Sequence, residues 1–417
     1  MKLLIKSAIL VDANSKHHLK KRDLLIENGK ISRIAAQIKD DQIKQLKLDN
    51  LHISPGWFDP SVSFGEPGYE ERETIANGLN VAAWSGFTTV GINTNTNPIP
   101  DTKSGIEYIK TKGSNHAVEV CPVGALTVQS EGVDLAELYD MQQEGALCFY
   151  DHKKPISNPN LLKIALQYAH DFDGLVQSFP LEAGLARKGV ANEHVNATRL
   201  GLKGIPALSE EVQLSRDLQI LEYTGGKLHI PTISTAGSVD LIKNAQAKGL
   251  QVSCSVSVNN LVMTDEVLEQ FDTRYKLMPP LRTEKDRKAL IKGLSTGVIS
   301  GVTSDHNPID VEHKQTEFDH AYFGSIGLES CFGALNRVLG TEETVKSLTG
   351  LKQAFGIPTV TLDEGQKADL TLFNPDSDWI FGRPDIRSGS YNAAMIGWPM
   401  KGRVYGVYCG KKLLLSQ

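Results

Sequence analysis

Roughly the first fifty positions carry short runs in which apolar and polar residues alternate, KLLIKSAILVDA and DLLIENGKISRIAAQI, the second broken at Asn28-Gly29. Period-two alternation around an Asn-Gly pair predicts a β-hairpin. The tail repeats the pattern in ADLTLFNP and MKGRVYGVYCGKKLLL, punctuated by Gly and Pro. Two β-rich ends around a different middle predict that the termini pair into one small β domain, residues 1–53 with 362–417.

Between them, over 54–361, the pattern changes. Apolar, β-branched segments fall at 53–63 (interrupted by Pro55-Gly56), 88–94, 117–123, 146–151, 174–178, 228–234, 251–258 and 298–305. Most intervals hold stretches of helical period, such as LLKIALQYAH, EEVQLSRDLQILEY, SVDLIKNAQAKG and KDRKALIKG. Ser209 before Glu210 and Glu211, and Thr283 three residues before Asp286, are expected as helix N-caps. Eight strand–helix units predict an α/β fold, a (β/α)8 TIM-like barrel carrying the small β domain. Chemistry in such a barrel gathers at the carboxyl ends of the strands. Those ends present Asp59, Ser61, Ser63, Asn95, Asp151, His152, Ser178, Thr232, Ser257, Asn259, Asn260, Asp305 and His306, a polar set poor in histidine.

Composition narrows the classes. Of 417 residues 40% are hydrophobic and 22% charged, which excludes wholesale disorder. Forty-four basic against 49 acidic residues, net −5, leave no field to hold nucleic acid or an anionic membrane. The amino terminus lacks the unbroken apolar stretch of a signal peptide, and no run approaches a membrane span. Five scattered cysteines without a CxxC pair point to reduced thiols in a cytoplasmic protein. No GxGxxG and no GxxxxGKS phosphate loop occurs.

The segments PGWFDPSVSFGEPGYEERETIANG, SGFTTVGINTNTNPIPDT, YKLMPPLRTEKDRKALIKG, TSDHNP, GSIGLES and GQKADL resemble dihydroorotase of the amidohydrolase superfamily nearly end to end. The resemblance implies a distorted barrel with a β domain built from both termini. It also implies pyrimidine biosynthesis, through zinc-dependent closure of carbamoyl aspartate to dihydroorotate. The site positions depart from that pattern. Where the family has His-x-His after the first barrel strand stand Ser61 and Ser63; its two further metal histidines fall on Ser178 and Thr232. The bridging carboxylate matches Asp151, and the proton-shuttling aspartate matches Asp305. Of the substrate contacts, Asn95 is kept, while Gly65, Met278 and Ile309 replace an arginine, an asparagine and a histidine.

Zinc needs three or four nitrogen, sulfur or oxygen donors at about 2 Å, and neutral hydroxyls are weak donors. Asp151 and Asp305 are therefore expected to remain as relics, with no cofactor held. His306, adjacent to Asp305 on a strand, should point to the opposite face, and His152 is expected at the surface. The leading expectation is a dihydroorotase-like protein without the activity, kept as a non-catalytic partner, for example of aspartate carbamoyltransferase, in a homo- or hetero-oligomer. Two alternatives stand beside it. One is an active dihydroorotase or other cyclic-amide hydrolase with an atypical metal site, with Asp305 as base. The other is a small-molecule binding module using the hydroxyls and amide of the vacated pocket.

Overall fold

The computed structural model describes residues 2–40 and 42–416, with the backbone alone for Gln270. The two ends of the chain meet in one sheet. Lys2–Leu10 pairs antiparallel with Lys21–Glu27, which turns back into Lys30–Ala35. At that turn both Asn28 (φ 53°) and Gly29 (φ 79°) lie in the left-handed region, the geometry that an Asn-Gly pair tolerates best. His52–Pro55 lies parallel to the first strand and antiparallel to Leu370–Ile380, with Ile53 opposite Leu372. Pro399–Cys409 and Lys412–Leu415 extend the sheet from the other side.

The run expected as one strand over 53–63 is split. Its first half belongs to the terminal sheet. Its second, Trp57–Val62, begins a parallel set with Phe87–Ile92 and Glu119–Pro122. Leu175–Gln177, Lys227–Ile230, Val252–Ser257 and Gly301–Thr303 form a second parallel set. The 146–151 segment supplies only Phe149, which bridges Gly124 on one side and Val176 on the other; Val62 and His306 bridge the remaining edges. The eight segments thus follow one another in the expected order, but the two joins rest on three isolated bridges, two of them through Phe149, so the parallel strands form two sheets rather than one uninterrupted ladder.

Helices Pro159–His170, Ala207–Thr224, Ala236–Ala247 and Glu284–Ser295 cover the periodic stretches. Thr283 caps the last of these in a reciprocal capping box with Asp286. Ser209 does not cap its helix. Pro206 occupies that position and Ser209 lies in the first turn, its hydroxyl donating back to the Pro206 carbonyl. Proline's fixed φ sets the entry earlier than the polar side chain suggests.

Trp57 is fully buried where the parallel set, the terminal sheet and helix Leu328–Leu339 converge, with its ring centroid 4.9 Å from Phe332 and 5.7 Å from Phe373. Its indole N–H donates to Ser54 Oγ at 2.9 Å, so the aromatic anchor leaves no orphaned donor. The Lys352 ammonium, 2% exposed, pairs with Asp369 across the same junction at 3.2 Å. The five cysteines are unpaired; burial pushes the Cys148 and Cys254 thiols up to about 12. Among the described residues, no helix is long and apolar enough to cross a membrane.

Candidate active site

The site positions gather at the carboxyl ends of the parallel strands, and most of their polar atoms are already engaged. Asn93, at the end of Phe87–Ile92, donates from its amide to Ser61 Oγ and to Ser63 Oγ, both at 3.1 Å. Ser178 Oγ donates to Asp217 Oδ2 at 2.6 Å. Asp217 is fully buried on Ala207–Thr224 and is also held by Arg216 at 2.8 Å. Thr232 (φ 49°) keeps its hydroxyl buried and without a partner.

The two carboxylates are separated in role. Asp151 is a hydrogen-bonded carboxylate: its oxygens accept from Leu126 N (2.9 Å), Thr127 N (3.1 Å) and Thr127 Oγ1 (2.6 Å), fastening the 126–127 loop. Burial nonetheless raises its pKa, these hydrogen bonds opposing the rise. The Asp305 carboxylate meets the Lys153 ammonium, with Oδ1 at 2.8 Å and Oδ2 at 2.9 Å. Burial pushes the Asp305 carboxyl up while Lys153 pulls it down.

His152 is not at the surface. It is 9% exposed, its ring lies edge-on to Tyr150 with centroids 5.6 Å apart, and neither ring nitrogen has a partner among the described residues. Burial first and the neighbouring Lys153 second hold its pKa well below the usual histidine range. The correction has a local cause. Thr94 Oγ1 accepts from His152 N and donates to the Tyr150 carbonyl, drawing the 150–152 turn under the strand end. His306 turns its ring to the Gly327 and Leu328 amides, which donate to Nδ1 at 3.2 and 3.4 Å, and burial lowers its pKa to about 3.

Asn95 is half-buried, its amide reaching Asn307 Oδ1 at 3.4 Å while its own Oδ1 has no partner. Gly65 sits at φ 83°, and a Cβ there would fall 2.4 Å from the Tyr69 carbonyl oxygen, so no side chain can be restored without moving the backbone. Ile309 is buried, and its N–H donates to Asn392.

Asp59 is fully buried and serves the seam instead of the pocket. It accepts from Thr303 Oγ1 (2.5 Å), Ser304 N (2.9 Å) and Ser61 N (3.1 Å), tying Trp57–Val62 to Gly301–Thr303. Burial, partly offset by these hydrogen bonds, raises its pKa from 3.8 to about 6. A carboxyl raised on folding contributes stability that is full below about pH 4 and is lost as pH rises to about 6. The gap corresponds to about 3 kcal/mol. Denaturant midpoints of the natural chain and Asp59→Asn should therefore diverge in favour of the variant by about that amount between pH 4 and 6 and run parallel above. A difference independent of pH would refute the assignment.

The residues that organise the pocket and escaped the sequence are Lys153, Asn93 and Asp217. One signal for Lys153 was available: an isolated buried aspartate needs a counter-charge, and Lys153 stands two positions beyond a strand-end acid. As a metal centre the donors do not fit. Three of the four hydroxyls and both carboxylates have protein partners, and among the described residues no group of three His, Cys, Asp or Glu side chains is placed to hold an ion.

The backbone shares its fold with solved hydantoinases. It superimposes on L-hydantoinase (dihydropyrimidinase) from Arthrobacter aurescens with a TM-score of 0.87 at 21% identity, covering 99% of this chain and 96% of that one. A D-hydantoinase (dihydropyrimidinase) from a Thermus species gives 0.81 at 19% identity, with 99% and 95% covered. A family model described as dihydro-orotase-like matches residues 51–238. The dihydroorotase of Pelotomaculum thermopropionicum is 37% identical across 100% of this chain and 99% of its own length; that of Syntrophus aciditrophicus is 35% identical over 97% of each. The chain belongs to the dihydroorotase family.

Proposed function

We propose that this chain acts in pyrimidine biosynthesis as a dihydroorotase-like barrel that does not close or open the dihydroorotate ring and that serves as a non-catalytic partner of aspartate carbamoyltransferase. One observation carries the reading. Apart from Thr232, the side chains that would have to take up a metal are committed elsewhere: Ser61 and Ser63 to Asn93, Ser178 to Asp217, Asp151 to the 126–127 amides, and Asp305 to Lys153. The reading is supported by the scaffold, in which the parallel strands and their helices keep the expected order beside the terminal sheet, and a scaffold is what an assembly partner needs. Co-expressed with the transferase of its own cell, the chain should elute with it as one complex. Deleting the gene should shift the transferase to a smaller, less active species. A transferase of normal size and activity in the deletion strain refutes the partner role.

A second reading, an active dihydroorotase with an atypical site, is favoured by the shared name of the relatives. It requires turnover that Asp305→Ala abolishes.

A further inference from the structure

We infer that Lys153 is a tethered cation that takes the place of a metal ion at Asp305, and that its ammonium excludes a metal even from a pocket whose histidines have been rebuilt. The inference shares with the proposed function only the reading of a metal-free pocket. Its tests are metal binding and melting, which the partner experiment does not touch.

The geometry is that of a built ion site. The ammonium bonds both oxygens of the carboxylate, at 2.8 and 2.9 Å, with Lys153 12% and Asp305 4% exposed at the side chain. Among the described residues, no other side chain donates to that carboxylate. A divalent ion on Asp305 would sit about 2 Å from the same oxygens, against the ammonium nitrogen, and two cations cannot share that place.

Lys153 (φ 55°) and Asp305 (φ 50°) both lie in the left-handed region, which a lysine rarely adopts and an aspartate tolerates better. Strain of this kind persists where the surroundings over-determine it. Here Tyr150 Oη accepts from Lys153 N at 2.9 Å, and Thr303 Oγ1 accepts from Asp305 N at 3.0 Å. Thr94 holds the turn that carries both Tyr150 and Lys153. The residue pair is fixed from the main chain outward, as metal ligands are.

The test rebuilds the site. A chain carrying Ser61→His, Ser63→His, Ser178→His and Thr232→His is compared with the same chain carrying Lys153→Gly in addition, both by equilibrium dialysis against zinc with elemental analysis. The five-substitution chain should bind zinc at least ~100-fold more tightly than the four-substitution chain, because only there is the Asp305 carboxylate free. Equal affinity overturns the inference. Should either chain fail to fold, the natural background decides. Lys153→Met should lower Tm by roughly 5 °C or more by stranding a buried carboxylate, and adding Asp305→Leu should recover most of the loss. A Lys153→Met chain that melts with the natural one overturns the inference equally.

Discussion

Purified protein supplied with dihydroorotate or carbamoyl aspartate is expected to turn over neither above a protein-free control, and to carry far less than one zinc per chain. A metal-bound water loses its proton at a pKa of about 7, whereas bulk water does so at about 15.7. A gap of about 9 pKa units is worth roughly 12 kcal/mol, an upper bound because hydroxide is the stronger nucleophile. General base catalysis returns about 10²–10⁴-fold of that. Even this is denied to Asp305 while its carboxylate is paired with Lys153 at 2.8 Å. Assays at several pH values with elemental analysis of the same preparation check the expectation. Stoichiometric zinc together with turnover that vanishes in Asp305→Ala would reverse it and make the atypical-enzyme reading the right one.

Arg282→Met is expected to destabilise the chain by about 3–5 kcal/mol, the cost of stranding a buried charge and its acceptors. The Arg282 side chain is 2% exposed and donates to Ser234 Oγ (3.1 Å), Asn192 Oδ1 (2.8 Å) and the Ile205 carbonyl (2.7 Å), with Glu210 at 3.8 Å. Glu210, equally buried, accepts in turn from Ser234 N (2.7 Å), Thr235 N (3.1 Å) and Ser238 Oγ (2.7 Å). One guanidinium thus ties the 191–205 loop pair to the start of Ala207–Thr224 and to the 234–238 turn. Burial lowers the Arg282 pKa and the nearby acids, Glu210 foremost, raise it. Adding Glu210→Gln should recover only part of the loss, since glutamine removes the stranded charge but keeps a single carbonyl for several donors. Denaturant midpoints measure both. An Arg282→Met chain within about 0.5 kcal/mol of the natural one would show that the network contributes little.

The retained PPLR segment, which the family resemblance drew attention to, has this structural duty whatever happens in the pocket. The same holds for Asp59. As a strand-end acid it looked like site chemistry, yet it lies at the seam, where three donors from two strands converge on it. Period and composition place such residues on a strand; they do not say which neighbour the strand will meet.

The sequence by itself determined the strand and helix rhythm, the hairpin at Asn28-Gly29, the pairing of the two ends, and the hydroxyl side chains of Ser61, Ser63, Ser178 and Thr232. These follow from local periodicity, turn chemistry and residue type, which act over a few positions and are legible in one dimension. Only the tertiary structure decided what the vacated atoms do. Lys153 and Asp305 are 152 positions apart, and Ser178 and Asp217 are joined across a strand and a helix. Placing His152 inside required the turn that Thr94 draws in from another strand. A buried charge must find its partner wherever the fold brings one, and that choice is made by packing over long sequence separations, not by the residues beside it.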